Sequence, residues 1–448
     1  MRTIRARFEP NSYGFRPGRS AHDAIEAIFN FIRLKPKFVL DADISKRFDR
    51  ISHTALEAKL HTVRPIARLT HAWLKAGILD HGIRAYPEAG TPQGSPLSPL
   101  LANIALHGFE TAIRQASPAQ APAALIRYAD DFVILHPNLA TLQYLRQVAA
   151  DWLATLGLEL HPDKTHISHT LEPYHGALGF DFLGFHIRQY PVGKYHTHTF
   201  RDSSGFKTLI KPSAQALQRH RDRLRDLIRQ HRGAAQSALI HALNPVIQGW
   251  CNYYQFAIAK TEFCRLDYVL FHQLKRWARY RHPHKRDRWC YHRYWRKERE
   301  RIRFSDGTSV LSFHQTTTVS RFVKVQNTRS PFDGDWVYWA TRLGRDPAKP
   351  RRVTRLLKRQ HGQCARRMQS IRVDYPLRRT MCWKFTTTTA ITVTTPSTTS
   401  ACCTAIVTIS FTVSSVYDKD SYSEEPDDGK LSRPVREWRR GRRLPRRP

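Results

Sequence analysis

Acidic residues are scarce in this chain. Its 448 residues hold 37 Asp+Glu against 73 Lys+Arg, a formal net charge of +36. That imbalance is the footprint of a phosphate binder, such as an RNA-binding chain, whose affinity falls with salt as neutralised phosphates release counterions. Charge alone would suit a ribosomal or DNA-binding protein equally well, and it says nothing of fold. A cysteine framework is missing too. The seven cysteines, Cys251, Cys264, Cys290, Cys364, Cys382, Cys402 and Cys403, form no C-x-x-C ladder, which excludes a disulfide scaffold and a zinc ribbon and makes a reducing compartment the simplest one. Met1-Arg2-Thr3-Ile4-Arg5 carries no apolar signal core, and no run of about 18 apolar residues marks a membrane span. The expectation is a chain without a membrane partner, cytoplasmic in a bacterium or organellar in a eukaryote. Two late absences matter below: no histidine follows His361, and no charged residue occurs from Thr386 to Tyr417. What is present, 41% hydrophobic residues, suffices for the cores of two or three domains.

The most telling segment is Tyr128-Ala129-Asp130-Asp131, set between the apolar runs Ala124-Leu125-Ile126 and Phe132-Val133-Ile134-Leu135. Apolar strands around a tight acidic corner predict a β-hairpin, and paired aspartates are hard oxygen ligands of the kind Mg²⁺ prefers. A lone acidic turn is usually just solvated. A third carboxylate, Asp43, comes at the end of the predicted strand Phe38-Val39-Leu40-Asp41-Ala42-Asp43-Ile44. Three carboxylates can hold two metal ions about 3.5–4 Å apart for phosphoryl transfer. Taken alone, Asp41, Asp43 and Asp49 also suit an ordinary polar strand end and helix cap. Between these acidic elements, the loop Gly90-Thr91-Pro92-Gln93-Gly94-Ser95-Pro96 runs into the apolar Leu97–Ile104. It offers close backbone approach and free N–H groups to a ligand, or it is simply a loop before a buried helix.

In this order the three elements resemble the polymerase palm of the group II intron reverse transcriptase/maturase family. The resemblance begins at Arg7-Phe8-Glu9-Pro10-Asn11-Ser12-Tyr13-Gly14-Phe15-Arg16-Pro17-Gly18-Arg19-Ser20. It continues through Leu156-Gly157-Leu158-Glu159-Leu160-His161-Pro162-Asp163-Lys164-Thr165 and Phe180-Asp181-Phe182-Leu183-Gly184-Phe185 to Leu243-Asn244-Pro245-Val246-Ile247-Gln248-Gly249-Trp250-Cys251-Asn252-Tyr253-Tyr254, which is similar to the family's maturase, or thumb, signature.

The resemblance implies an α+β fold: a right-hand palm with partial fingers, then an α-helical thumb and an irregular C-terminal tail. It also implies RNA-directed DNA synthesis in which Asp43, Asp130 and Asp131 bind two Mg²⁺ and the primer 3′-hydroxyl attacks the α-phosphate of a dNTP. Phe48 would be the steric gate that favours deoxynucleotides, and Gln93 and Gly94 would line the nucleotide or template pocket. Arg16 and Lys164 would meet triphosphate charge, although either also suits an ordinary surface cation. The implied partners are group II intron RNA, an RNA template with a DNA or RNA primer, and dNTPs, with a DNA target as a further one.

Domain expectations follow composition and resemblance together: palm and partial fingers over 1–190, thumb over 200–302, a connecting segment over 303–363 and a degenerate or disordered tail over 364–448. Helical spacing of apolar residues runs from Ser213 to about His292. There Lys275, Arg276, Arg279, Arg281 and Arg286 interleave with aromatics, a mixture suited to phosphates and unpaired bases. Trp250 and Trp277 are expected in the thumb core. The segment Ser330-Pro331-Phe332-Asp333-Gly334-Asp335-Trp336-Val337-Tyr338-Trp339 resembles the lead-in to a C-terminal HNH endonuclease module, for which the tail lacks the histidines. Regrouping codon bases across Cys402–Ile409, with the last base of each codon joined to the first two of the next, permits Leu-His-Arg-His-Cys-His-Asp. Residues from about Arg366 to Ser415 are therefore expected to be translated out of frame, with a divergent Thr-rich linker as the alternative. Relatives begin upstream of the point matching Arg7-Phe8, so incomplete fingers and impaired polymerisation are expected. Two readings from other classes stay open: a non-enzymatic intron RNA-binding splicing factor, and an inactive relic of a mobile intron reading frame.

Overall fold

The computed structural model describes residues 8–45, 50–60, 62–76, 78–80, 83–85, 89–91, 95–192, 205–298, 300–342, 344, 347, 349–361, 384–385 and 391–392. The elements run α1 (Ala21–Ile32), β1 (Phe38–Ser45), α2 (His53–Lys59), α3 (Arg64–Leu74), β2 (Ile78–Asp80), β3 (Ile83–Ala85), α4 (Ser98–Ala105), α5 (Phe109–Ala116), β4 (Ala124–Tyr128), β5 (Asp131–His136) and α6 (Leu139–Ala154). Next come β6 (Glu159–Leu160), a 3-10 turn at Pro162–Lys164, β7 (His166–His169), β8 (Phe180–Phe182), β9 (Phe185–Pro191) and β10 (Phe206–Pro212). The helices α7 (Ala214–Gln230), α8 (Gln236–Tyr254), α9 (Lys260–Arg281) and α10 (Asp287–Tyr294) follow, then the hairpin β11 (Trp295–Glu298) and β12 (Arg301–Phe304), α11 (Trp336–Arg342) and α12 (Arg351–Gln360). The chain forms two compact units, Met1–Lys358 and Arg359–Pro448. In the second, β13 (Lys384–Phe385) pairs with β14 (Ile391–Thr392). The out-of-frame expectation for Arg366–Ser415 falls almost wholly outside the described residues.

Within the first unit, an antiparallel sheet of order β4-β5-β1-β6, with β7 also paired to β1, divides two cores. Side chains alternate across a strand, so the parity of each residue assigns its face. Leu40, Ala42 and Ile44 of β1 join Leu125, Phe132 and Ile134 in a core completed by α2, α4, α5 and α6. Val39, Ala124, Ile126, Val133 and Leu135 face the other way, into a core shared with α1 and with α7 to α10. The α+β expectation holds, and the helical spacing read from Ser213 corresponds to α7–α10, with Ser213 capping α7 by accepting a hydrogen bond from the Ala216 N–H.

The two motifs quoted from the sheet region and the helical region meet directly. The turn Leu183-Gly184 between β8 and β9 has positive φ at both residues, 49° and 78°. A Cβ at Gly184 would lie 2.8 Å from Tyr254 Oη, which is why glycine stands there. Tyr253 Oη donates to Leu183 O at 2.8 Å and Tyr254 Oη to Gly184 O at 3.1 Å. Trp277 is buried, as expected; Trp250 is only partly buried, packed against the core and stacked on His220 at 4.7 Å between ring centroids.

His220 is part of a buried relay. Asp267 Oδ1 accepts from His314 Nδ1 at 2.7 Å, which leaves His314 Nε2 to accept from His220 Nε2 at 2.9 Å. Burial first, then His314, lowers the His220 pKa to about 3. An unfolded histidine titrates near 6.5, so below that pH the unfolded chain binds a proton the folded one refuses. The stabilisation is therefore complete above about pH 6.5 and is lost as pH falls toward about 3. His220→Gln, which keeps a donor, is expected to make the fall in melting temperature between about pH 7 and pH 5 shallower than in the unsubstituted protein.

Within segment 303–363, whose resemblance is to a connecting segment, the part from Phe322 to Arg342 packs onto the N-terminal region. Asp23 Oδ1 accepts from Val325 N at 2.7 Å and from Arg342 Nη2 at 2.5 Å, and Arg19 donates to Asn327 O at 2.6 Å. Gly18, at φ 77°, leaves room for the buried Trp339, whose ring lies 2.7 Å from where a Cβ would stand.

Candidate active site

Asp43 continues the parity of Val39 and Asp131 that of Val133 and Leu135, so both carboxylates lie on the face of the second core, at its open end. The register pairs them directly, Asp43 opposite Asp131. A slip of one residue would turn every side chain of β1 over and separate the pair. The hairpin β4–β5 closes in two residues, Ala129 and Asp130, between the paired Tyr128 and Asp131. Ala129 takes φ 61°, the left-handed conformation that tight hairpins require.

A buried polar network holds this turn. Arg127, 1% exposed, donates to Ala129 O (3.1 Å), Asn103 Oδ1 (3.1 Å) and Ser12 Oγ (2.8 Å). Asn103 Nδ2 donates to Gly14 O at 3.0 Å. Gly14 presses on the turn so closely that a Cβ would stand 2.3 Å from Ala129 N. Thus the Asn11–Ser20 motif, the helix after the Gly/Pro loop and the acidic hairpin converge on one point. Arg127→Met leaves Asn103, Ser12 and Ala129 with unmet acceptors, each costing about 1–3 kcal/mol. It is expected to lower both unfolding midpoint and primer extension, and Arg127→Lys to restore stability more than extension.

Lys164 reaches the site from the 3-10 turn. Its ammonium lies 2.6 Å from Asp43 Oδ2, with side-chain exposures of 60% and 15%. Asp43 raises the Lys164 pKa most, and Asp131 and Asp130 raise it further. Three carboxylates therefore act on one cation. Asp41, on the same face as Asp43, was passed over as a site residue; burial, then Asp131, Asp181 and Asp43, raise its carboxyl to about 7. Asp181 is itself held by His186 Nδ1 at 2.6 Å. The alternation of β1 was the signal that could have placed Asp41 here.

Among the described residues, no three His, Cys, Asp or Glu side chains stand in metal-holding geometry; Asp43 holds the Lys164 ammonium instead. The chemistry of the donor set nevertheless fits Mg²⁺: all-oxygen, anionic and already drawing a cation.

Phe48, Gln93 and Gly94 lie outside the described residues. Arg16 is buried, donating to Glu9 O (2.6 Å), Ser12 O (2.7 Å) and Phe8 O (3.4 Å), so in this conformation it braces the loop around Gly14. Burial, then Arg19 and Arg127, lower its pKa to about 9. On α9, Lys275 and Arg279 contact Asp287 at 2.8 and 3.3 Å. Arg281 donates to the carbonyls of Arg232 and Ala234. Arg276 and Arg286 are exposed.

Residues 1–187 match the family "Reverse transcriptase (RNA-dependent DNA polymerase)" and residues 217–295 the "Group II intron, maturase-specific domain". Protein YkfC of Escherichia coli K12 is 31% identical over 217 residues, 40% of this chain and 55% of that protein. The group II intron-encoded protein LtrA of Lactococcus lactis subsp. cremoris is 25% identical over 347 residues, 59% of this chain and 55% of that protein. An apo telomerase structure from Candida tropicalis aligns with a TM-score of 0.35 at 12% identity, over 61% of this chain and 51% of that one. The chain spans about half the length of the curated relatives it matches. With a reverse transcriptase region followed by a maturase-specific one, in the order the motifs run, the chain belongs to the group II intron reverse transcriptase/maturase family.

Proposed function

We propose that the chain is an RNA-directed DNA polymerase with intron-maturase character. The observation that carries this is the pairing of Asp43 with Asp131 across β1 and β5 at an acidic turn fixed from behind by Arg127. Mg²⁺ held by Asp43, Asp130 and Asp131 would activate the primer 3′-hydroxyl and stabilise the leaving oxygen. The protein's part is to keep the carboxylates adjacent and oriented, so that little is reorganised when the reaction begins. Lys164, released from Asp43 as a cation takes its place, would meet triphosphate charge. Phe48 as steric gate, Gln93 and Gly94 at the nucleotide and Arg16 toward triphosphate belong to this reading through the resemblance. So does RNA contact by Lys275, Arg276, Arg279, Arg281 and Arg286. We divide the functions as palm 1–190, thumb 200–302, connecting segment 303–363 and tail 364–448. Intron RNA, a primed RNA template and dNTPs are the partners, with a DNA target as a further one. Among the described residues no helix is long and apolar enough to cross a membrane.

Primer extension on an RNA template with dNTPs and Mg²⁺ tests the reading. Template-length DNA that disappears with EDTA is expected; no product from folded, RNA-binding protein would overturn it.

A further inference from the structure

The hairpin β11–β12 sets two arginines directly opposite each other. Its register pairs Trp295 with Phe304, Arg296 with Arg303, Lys297 with Ile302 and Glu298 with Arg301. Trp295 and Phe304 are buried in the core shared with α7 to α10, so by alternation Arg296 and Arg303 share the other face of the hairpin. Like charges directly opposite on paired strands are destabilising, and a two-stranded hairpin is marginally stable to begin with. The surroundings hold both side chains in place all the same. Gly307, at φ 101°, leaves room for Arg296, since a Cβ there would stand 2.5 Å from its Nη1. Arg303 lies over the Phe313 ring, 5.2 Å from the centroid, and its Nε is buried with no hydrogen-bond partner. Among the described residues neither guanidinium meets a carboxylate. The nearby acids in sequence are engaged or turned to solvent: Glu298 accepts from Ser305 Oγ at 2.8 Å, Asp306 Oδ1 accepts from Thr308 N and Ser309 N at 2.9 and 2.7 Å, and Glu300 is exposed in the turn. By contrast, Lys275, Arg279 and Arg281 on α9 already have partners within the protein.

We propose that this face of the hairpin is a phosphodiester site, in which Arg296 and Arg303 together clasp a backbone phosphate of a bound nucleic-acid strand. Guanidinium groups hold phosphate through paired, charge-assisted N–H···O bonds, and such contacts position a strand without reading its bases. The site rests on the maturase half of the reading above for its ligand, and its test needs no DNA synthesis. The measurement is anisotropy of a labelled single-stranded RNA, and of a DNA strand of the same sequence, over a salt series without dNTPs, together with thermal melting of each free protein. The proteins are the unsubstituted chain, Arg296→Gln, Arg296→Gln with Arg303→Gln, and Lys297→Gln, which removes one charge from the opposite parity of the same strand. The double variant is expected to bind RNA roughly tenfold more weakly at fixed salt, with the slope of log affinity against log salt shallower by about one. It is expected to melt no lower than the unsubstituted chain, because the opposed charges are gone. Arg296→Gln is expected to fall between, and Lys297→Gln to bind as the unsubstituted chain does. Loss on both strands upholds a site for any phosphodiester; loss on RNA alone upholds it as a site for an RNA strand. Unchanged affinity and slope in the double variant would overturn the proposal, as would equal losses in Arg296→Gln and Lys297→Gln, which would reduce it to net charge. If the unsubstituted chain binds neither strand at low salt, the maturase reading fails together with the site; if it binds and the double variant matches it, only the site fails.

Discussion

Asp43→Asn is expected to abolish primer extension, by at least about a thousandfold, while leaving intron RNA binding intact. Asp43 is the strand-borne member of the acidic set, directly opposite Asp131, and its carboxylate already draws a cation, the Lys164 ammonium, to within 2.6 Å. Asparagine keeps the shape but offers one neutral oxygen, which neither holds a lysine by charge nor serves as an anionic ligand. Asp163→Asn, an exposed carboxylate in the neighbouring 3-10 turn, is the control and is expected to retain extension. Equal loss in both would point to general charge effects and against a metal-binding corner.

The second large effect concerns stability. Arg342→Leu is expected to cost about 3–5 kcal/mol, because it leaves Asp23 buried without its cation. Arg342 and Asp23 are 3% and 1% exposed. Asp23 also caps α1, accepting from Ser20 N and Oγ at 2.9 Å each, and accepts from Val325 N. It therefore ties the start of α1 to a segment some three hundred residues later. Urea unfolding is the measurement, and adding Asp23→Asn is expected to recover part of the loss, since neighbours that share a charge do not act additively. An unchanged midpoint in Arg342→Leu would show that the segment from Phe322 to Arg342 contributes little to the fold. The same anchoring adjoins Gly18 and, through Arg16, the loop behind the acidic turn, so extension is expected to fall along with stability.

The parts of the site that were legible in the sequence were those set by a local period. Strand β1 reads apolar on one parity and acidic on the other near its end, and the hairpin reads as apolar runs around an acidic pair, so the facing carboxylates follow from alternation. The network behind them does not follow, because Ser12, Asn103 and Arg127 are distant in sequence and meet only through strand pairing and helix packing. The arginine in the otherwise apolar strand Ala124–Tyr128 was the one hint, since a buried guanidinium must find acceptors. The burial of Arg16 was not legible either: composition does not report burial, and its guanidinium donates to three backbone carbonyls that meet it only in the folded loop. Segment 303–363 reads as a connector by resemblance, and the docking of its part from Phe322 to Arg342 was not legible because it depends on single residues, Val325, Trp339 and Arg342, that find partners around the start of α1.

The most direct test compares DNA synthesis with RNA binding in the Asp130→Ala, Asp131→Ala protein. The two substitutions lie at the turn of the β4–β5 hairpin, in a different segment of the chain from the helices α7–α10. The account predicts that the unsubstituted chain makes Mg²⁺-dependent DNA on a primed RNA template, and that the double variant makes none while binding intron RNA with the same affinity and salt dependence. Equal extension by both proteins, or none by either from folded, RNA-binding material, would contradict a catalytic palm.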